Sequence, residues 1–209
     1  MGGRPKVTKA PKRTQAERRE AMQRKLLEAT ERCLAERGYA GTTTSAICKS
    51  AGVSQGALFR HFPTRLHVIA AATEAIGGRH VEALRTLEDF GGTGLALERL
   101  VSFVRETTRS DAHAAWHEVM VAARTDSALN AAVAPVLRAY ESALNGVARS
   151  LSLGWTEDVE HAEMVVLSVL HMLDSEAVTR RVHRNRDVEE RRLAWVTDLL
   201  KQELWAAEG

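Results

Sequence analysis

Apolar side chains recur at three- and four-residue intervals along most of the chain, the spacing of one face of an α-helix. Met22, Leu26, Ala29, Cys33 and Leu34 predict a first helix over about 15–37, closed by Gly38 as a C′ glycine. Thr42, Thr43 and Thr44 then supply an N-cap for a short helix that holds Ile47 and Cys48 and ends near Ser50. Ala51-Gly52-Val53 makes a turn. Ser54 caps another short helix, Gln55 to His61, which Phe62-Pro63-Thr64-Arg65 breaks, and Thr64 caps a longer helix reaching about Leu87. Gly91-Gly92-Thr93-Gly94 reads as a loop; with no strand before it, it is not a phosphate-binding loop.

The second half continues in helices. Leu97, Leu100, Val101 and Val104 predict one within 95–109. Leu129, Val133, Val136, Leu137, Tyr140, Leu144 and Val147 predict one within 127–150, kinked or restarted at Pro135. From Val159 to Leu173 apolar residues surround the helix on nearly all sides, and such a helix must be covered all round. The last helix, over 187–205, carries Leu193, Trp195, Val196, Leu199, Leu200, Leu204 and Trp205. Two such helices from each of two chains make a four-helix dimer interface; the plainer reading buries both in a monomer core. The basic run Arg180 to Arg186 between them reads as a solvated loop.

Composition narrows the class. Of 209 residues 44% are apolar and 27% charged, which excludes wholesale disorder. Ala, Leu, Glu and Arg abound and there are only four prolines, so the expected fold is all-α. Two cysteines without a CxxC pair exclude a disulfide framework and speak against a zinc knuckle; Cys33 lies on the apolar stripe and reads as core filling. No stretch is apolar enough to span a membrane, and no apolar region follows the basic N-terminus, so no membrane partner and a cytoplasmic, reducing setting are expected.

Charge divides the chain further. Residues 1–65 hold 14 Lys and Arg against 5 Asp and Glu, a net of +9, whereas residues 66–209 carry a net of −7. A basic head on an acidic body points to a polyanion partner for one end only. The expected organisation is a disordered basic arm over 1–14, a basic helical domain over 15–66 and a helical body over 67–209.

Within the basic head, a helix, a glycine turn and a second short helix form a helix-turn-helix pattern. Its second helix would enter the major groove N-terminus first. Thr43 and Thr44 are short hydroxyls at a helix start, suited to phosphate. Gln55 both donates and accepts, which suits the adenine edge, and Ala57 can meet a thymine methyl. Gly56 permits close backbone approach. Arg60 can read guanine or clamp a phosphate, and His61 and Arg65 sit where backbone contacts are expected. For Thr43 and Ser54, capping is expected in any case.

The runs Leu26-Leu27-Glu28-Ala29, Gly38 to Thr44, Ile47 and Ala51 to Arg65 resemble the DNA-binding domain of TetR-family transcriptional regulators over roughly residues 17–70. The resemblance implies three N-terminal helices on a larger helical C-terminal domain. It also implies a homodimer on an inverted-repeat operator, and repression relieved by a small-molecule effector. It carries DNA contacts to Thr43, Thr44, Ser54, Gln55, Gly56, Ala57, Phe59, Arg60, His61 and Arg65. Three positions depart from the family pattern. Phe59 and Arg60 stand where the family commonly has Tyr, so Phe59 is expected to pack rather than to bond phosphate; Arg65 stands in place of the usual Lys.

An effector pocket is expected among the helices between about 80 and 175, with Phe103, Trp116, His117, Met120 and Tyr140 as candidate lining residues, each readable also as plain core. His113 and His117, spaced i,i+4, share a helix face as a metal site needs, but a third ligand is not in view, so no metal or cofactor is expected. A pocket of several hundred Å³ would favour a ligand-released repressor, and a filled core a ligand-independent regulator or activator. No catalytic motif is present, so an enzyme is not expected.

Overall fold

The computed structural model describes residues 14–86, 94–153 and 157–205. Among them every regular element is a helix: α1 (Gln15–Gly41), α2 (Thr44–Ala51), α3 (Gln55–His61), α4 (Arg65–Arg85), α5 (Gly94–Thr108), α6 (Asp111–Ala123), α7 (Ser127–Leu153), α8 (Val159–Val182) and α9 (Arg186–Trp205). The expected arm over 1–14 lies outside the described residues except for Thr14, as do Leu87, the Gly91–Thr93 part of the glycine loop and the Trp205 side chain.

Local chemistry sets most helix starts. Thr14 makes a full capping box with Glu17, its backbone N–H donating to Glu17 Oε2 at 2.7 Å. Thr43, Ser54, Thr64 and Ser110 each accept a backbone N–H three residues on. Such a cap is worth about 1 kcal/mol. Gly38 adopts φ 67°, as expected for a helix-ending glycine, but one more turn follows it and carries α1 to Gly41. Gly52 closes α2 in the left-handed conformation, φ 59°, which aims the chain into α3.

Three apolar clusters hold the molecule together. The first packs Leu26, Ala29 and Cys33 of α1 on Ile47 and Cys48 of α2, Leu58 of α3 and Val68 of α4. Both cysteines are buried and free, and loss of hydration pushes both thiols up from their ordinary pKa. A second cluster sets Leu34 of α1 against Ile69 and Ile76 of α4, Trp116 and Val119 of α6, and Leu129 and Val133 of α7. The third and largest gathers Val81 and Leu84 of α4 with apolar faces of α5, α7, α8 and α9.

Two expectations change. The helix containing Pro135 is neither broken nor restarted; α7 runs through it. Leu129 and Val133 before it and Val147 and Leu151 after it are anchored in different clusters, which outweighs the missing N–H. The basic run is a solvated loop only at 183–185. Arg180 and Arg181 form the last turn of α8 and Arg186 opens α9, so only three residues connect them. Arg181 donates to the Ser110 carbonyl at 2.9 Å and pairs with Asp111. Arg180 faces Glu189 at 3.4 Å.

Glu189 belongs to an ion network buried between α5, α8 and α9. Arg109 bridges Glu176 at 2.7 Å and Glu189 at 3.0 Å, and Arg192 holds the other oxygen of Glu176 at 2.6 Å. Both carboxylates are about 5% exposed. Removing Arg109 leaves them desolvated and facing fewer cations, so Arg109→Ala is expected to cost about 3–5 kcal/mol in chemical denaturation. Leu34 is fully buried between head and body. Leu34→Ala is expected to cost about 2–5 kcal/mol by the same measurement.

Candidate functional site

The helix-turn-helix presents one polar edge. Leu58 is fully buried and Phe62 nearly so, which locks the register of α3 on the head. With Leu58 inward, Ser54, Gln55, Gly56, Phe59 and Arg60 are exposed, while Ala57 and His61 are half-buried. Thr43 is exposed and Thr44 half-buried beside them at the start of α2. Thr43 Oγ1 accepts the Ala46 N–H at 3.1 Å and Ser54 Oγ the Ala57 N–H at 3.2 Å, so each hydroxyl keeps its own proton for another acceptor. Phe59 does not pack inward as expected: it is 44% exposed, an apolar edge on the same surface as Gln55.

Arg65 is differently employed. Its Nε donates to the Thr42 carbonyl at 2.7 Å, its Nη2 donates to the Tyr39 carbonyl, and its guanidinium lies 4.2 Å from the Tyr39 ring centroid. It ties the segment leading into Thr43 to the start of α4, a task that needs the planar fork of Arg rather than a Lys ammonium. A phosphate would be met by its remaining N–H groups.

In the body, a cavity of about 170 Å³ lies between α4, α5, α6, α7 and α8. Phe103, Trp116 and Tyr140 line it as expected. The Trp116 and Tyr140 rings meet at a tilt of 52° with centroids 4.6 Å apart beside Gly77, where an added Cβ would sit 3.0 Å from Trp116. Met120 does not line the cavity. One turn beyond Trp116, it packs in the cluster between head and body. His117 is not in the wall itself but bonds to Asp174, which is.

Sequence reasoning missed His80, Leu144, Leu170, His171 and Asp174 as lining residues. The available signal for Asp174 was a lone carboxylate directly after the apolar run ending at Leu173. The polar wall is concentrated. Asp174 Oδ1 meets the Nε2 of both His113 and His117. Burial would raise the Asp174 pKa, but bonds to His113 and His117 and their charge outweigh it and hold the carboxyl well below its usual range. Burial, then His113, depress His80 to about 4, so it is neutral. Burial pushes the Tyr140 phenol up to about 12. The buried His80 Nε2 and His113 Nδ1 have no hydrogen-bond partner among the described residues, so this wall can take a polar occupant.

One helix joins the cavity to the head. α6 supplies His113 and Trp116 to the cavity, and Val119 to the cluster around Leu34. Its Glu118 accepts the Tyr39 N–H at 3.4 Å, and just beyond α6 Asp126 accepts the Tyr39 hydroxyl at 3.0 Å.

Comparison with known proteins agrees with this architecture. Residues 26–74 match the model of the family described as bacterial regulatory proteins, tetR family. The chain is 33% identical over 189 residues to the uncharacterized HTH-type transcriptional regulator Rv2912c of Mycobacterium tuberculosis, covering 90% of this chain and 97% of that one. It is 28% identical over 153 residues to the HTH-type transcriptional repressor AcnR of Corynebacterium glutamicum, covering 70% and 72%. The transcriptional regulator FadR of Bacillus subtilis, solved in complex with stearoyl-CoA, shares the fold with a TM-score of 0.60 and 17% identity over 87% of this chain and 97% of that one. Among the described residues no helix is long and apolar enough to cross a membrane. A helix-turn-helix head on a helical body, matched along nearly its whole length by a helix-turn-helix regulator, makes this chain a member of the TetR family of transcriptional regulators.

Proposed function

We propose that the chain is a homodimeric repressor that holds an inverted-repeat operator and is released from it by a small effector in the cavity of the body. The observation that carries this reading is α6, which is at once a wall of the cavity and the surface on which the end of α1 rests. An occupant that displaces Trp116 displaces Val119 and Glu118, and with them Leu34 and Tyr39 of the head. Two recognition helices must meet major grooves about 34 Å apart, so a change in head orientation trades operator affinity against effector affinity.

The dimer is supported by apolar residues left outside on α8 and α9. Met164 is 63% exposed and Trp195 54%, and Val178, Val182 and Val188 are also uncovered. The similarity to AcnR, a transcriptional repressor, supports repression, and the stearoyl-CoA held by FadR supports an effector. The cavity is smaller than the roughly 300–1,000 Å³ that takes a drug-sized ligand. Its occupant is therefore small, and its polar corner of His80, His113 and Asp174 calls for a polar group. At about 170 Å³ the cavity falls short of the several hundred Å³ expected of a ligand-released repressor, so this reading rests on the polar wall and on α6 rather than on cavity size.

On the head, Thr43, Thr44, Ser54, His61 and Arg65 act on phosphates, while Gln55, Gly56, Ala57, Phe59 and Arg60 face the bases. Selection of bound sequences from a random duplex pool at two salt concentrations tests the reading. An inverted repeat is expected at both salts; salt-collapsing binding with no motif overturns it. With the operator in hand, Gln55→Ala is expected to lose about 1–3 kcal/mol of discrimination at one base pair of each half-site, measured by competition. Arg65→Ala is expected to weaken binding to every sequence alike, because it loses a phosphate contact and frees the segment before Thr43. A Gln55→Ala protein that kept its full preference would remove Gln55 from the base-reading set.

A further inference from the structure

His113 and His117 stand one turn apart on α6, and Asp174 reaches them from α8. Three ligand atoms converge there. His117 Nε2 lies 3.2 Å from His113 Nε2 and 2.9 Å from Asp174 Oδ1, and Asp174 Oδ1 also touches His113 Nε2. Hydrogen bonds alone do not account for this triangle. If both Nε2 atoms carry protons, the edge between the histidines sets two donors against each other. If only one does, the other nitrogen turns a lone pair on the carboxylate oxygen. No placement of ring protons makes all three edges attractive, and the conflict is held in a wall where His113 is only 6% exposed.

An ion among the three atoms resolves the conflict, since each then directs a lone pair inward. Nitrogen and oxygen ligands bond Zn²⁺ at about 2.0–2.2 Å, so adjacent tetrahedral ligands lie about 3.3–3.5 Å apart. The observed edges reach that geometry with shifts of a few tenths of an ångström, except at the His113–Asp174 contact, which must open further. Two imidazoles and one carboxylate suit zinc-like ions, whereas Mg²⁺ and Ca²⁺ prefer sets made wholly of oxygen. We propose that His113, His117 and Asp174 bind a divalent transition-metal ion of the zinc type in the wall of the cavity, with its fourth position open. His113 and Asp174 both line the cavity, so the open position faces that space. The site stands on the geometry of α6 and α8 and does not depend on the operator reading.

The test uses the full chain, stripped with chelator and titrated with Co²⁺, followed by the visible absorption of a tetrahedral complex, and with Zn²⁺, followed by equilibrium dialysis. One ion per chain is expected. His117→Gln and Asp174→Asn, both at partly exposed positions and checked for unchanged melting, are expected to weaken binding at least about 100-fold, and His183→Gln, on the exposed turn between α8 and α9, not at all. Failure to retain either ion, or equal binding by the native chain and the two triad variants, overturns the site. A protein that selects an inverted repeat yet holds no metal overturns this site alone; one that holds the ion through the triad but selects no repeat overturns the repressor reading alone.

Discussion

Helix α4 has a side chain in each of the three cores, and the rest of the molecule is arranged around that fact. Val68 packs with the head, Ile69 and Ile76 with the joint, and Val81 and Leu84 with the body. Close-packed cores of this kind repack between discrete arrangements rather than deform smoothly. A rod anchored in three of them carries a displacement at one end to the other. α6 closes the circuit, since it touches the cavity on one side and the end of α1 on the other. Arg65 then holds the first turn of α4 to the carbonyls that precede Thr43. The cavity and the exposed edge of α3 are thus joined by packed side chains and short hydrogen bonds without an intervening linker.

The helix-turn-helix was legible because its determinants are local. Thr43, Ser54 and Thr64 cap within three residues of themselves, Gly52 turns within one, and the bounds of α3 follow from those signals alone. The body was legible in its periodicity but not in its depth. Trp116 and Met120 share a face of α6, and periodicity cannot say that one reaches the cavity and the other the joint above it. Local rules also failed where distant contacts decide. Pro135 would break an isolated helix, yet packing on both sides of it keeps α7 continuous. Arg180 looks solvated until Glu189 is brought up to it. Asp174 lies 57 residues from His117, and no spacing rule spans that distance.

The body's polar groups fall into two kinds. Around Arg109 each carboxylate finds a guanidinium, though Glu189 Oε1 is left without a partner among the described residues, and the network acts as a clasp on α8 and α9. Around Asp174 the groups converge without complete satisfaction: His80 Nε2 and His113 Nδ1 are buried without partners among the described residues. Folding bears a cost of about 1–3 kcal/mol for each such atom. Stability alone would have replaced these groups with apolar side chains such as the buried Leu97 and Val101 of α5.

The two thiols of the head give that region a particular immunity. Cys33 and Cys48 are sealed in its core, and burial keeps both in the protonated form, which is a poor nucleophile. Peroxides and electrophiles therefore have poor access to either thiol. A cysteine engineered on the exposed edge of α3 would then be the thiol that a spin label or dye finds first.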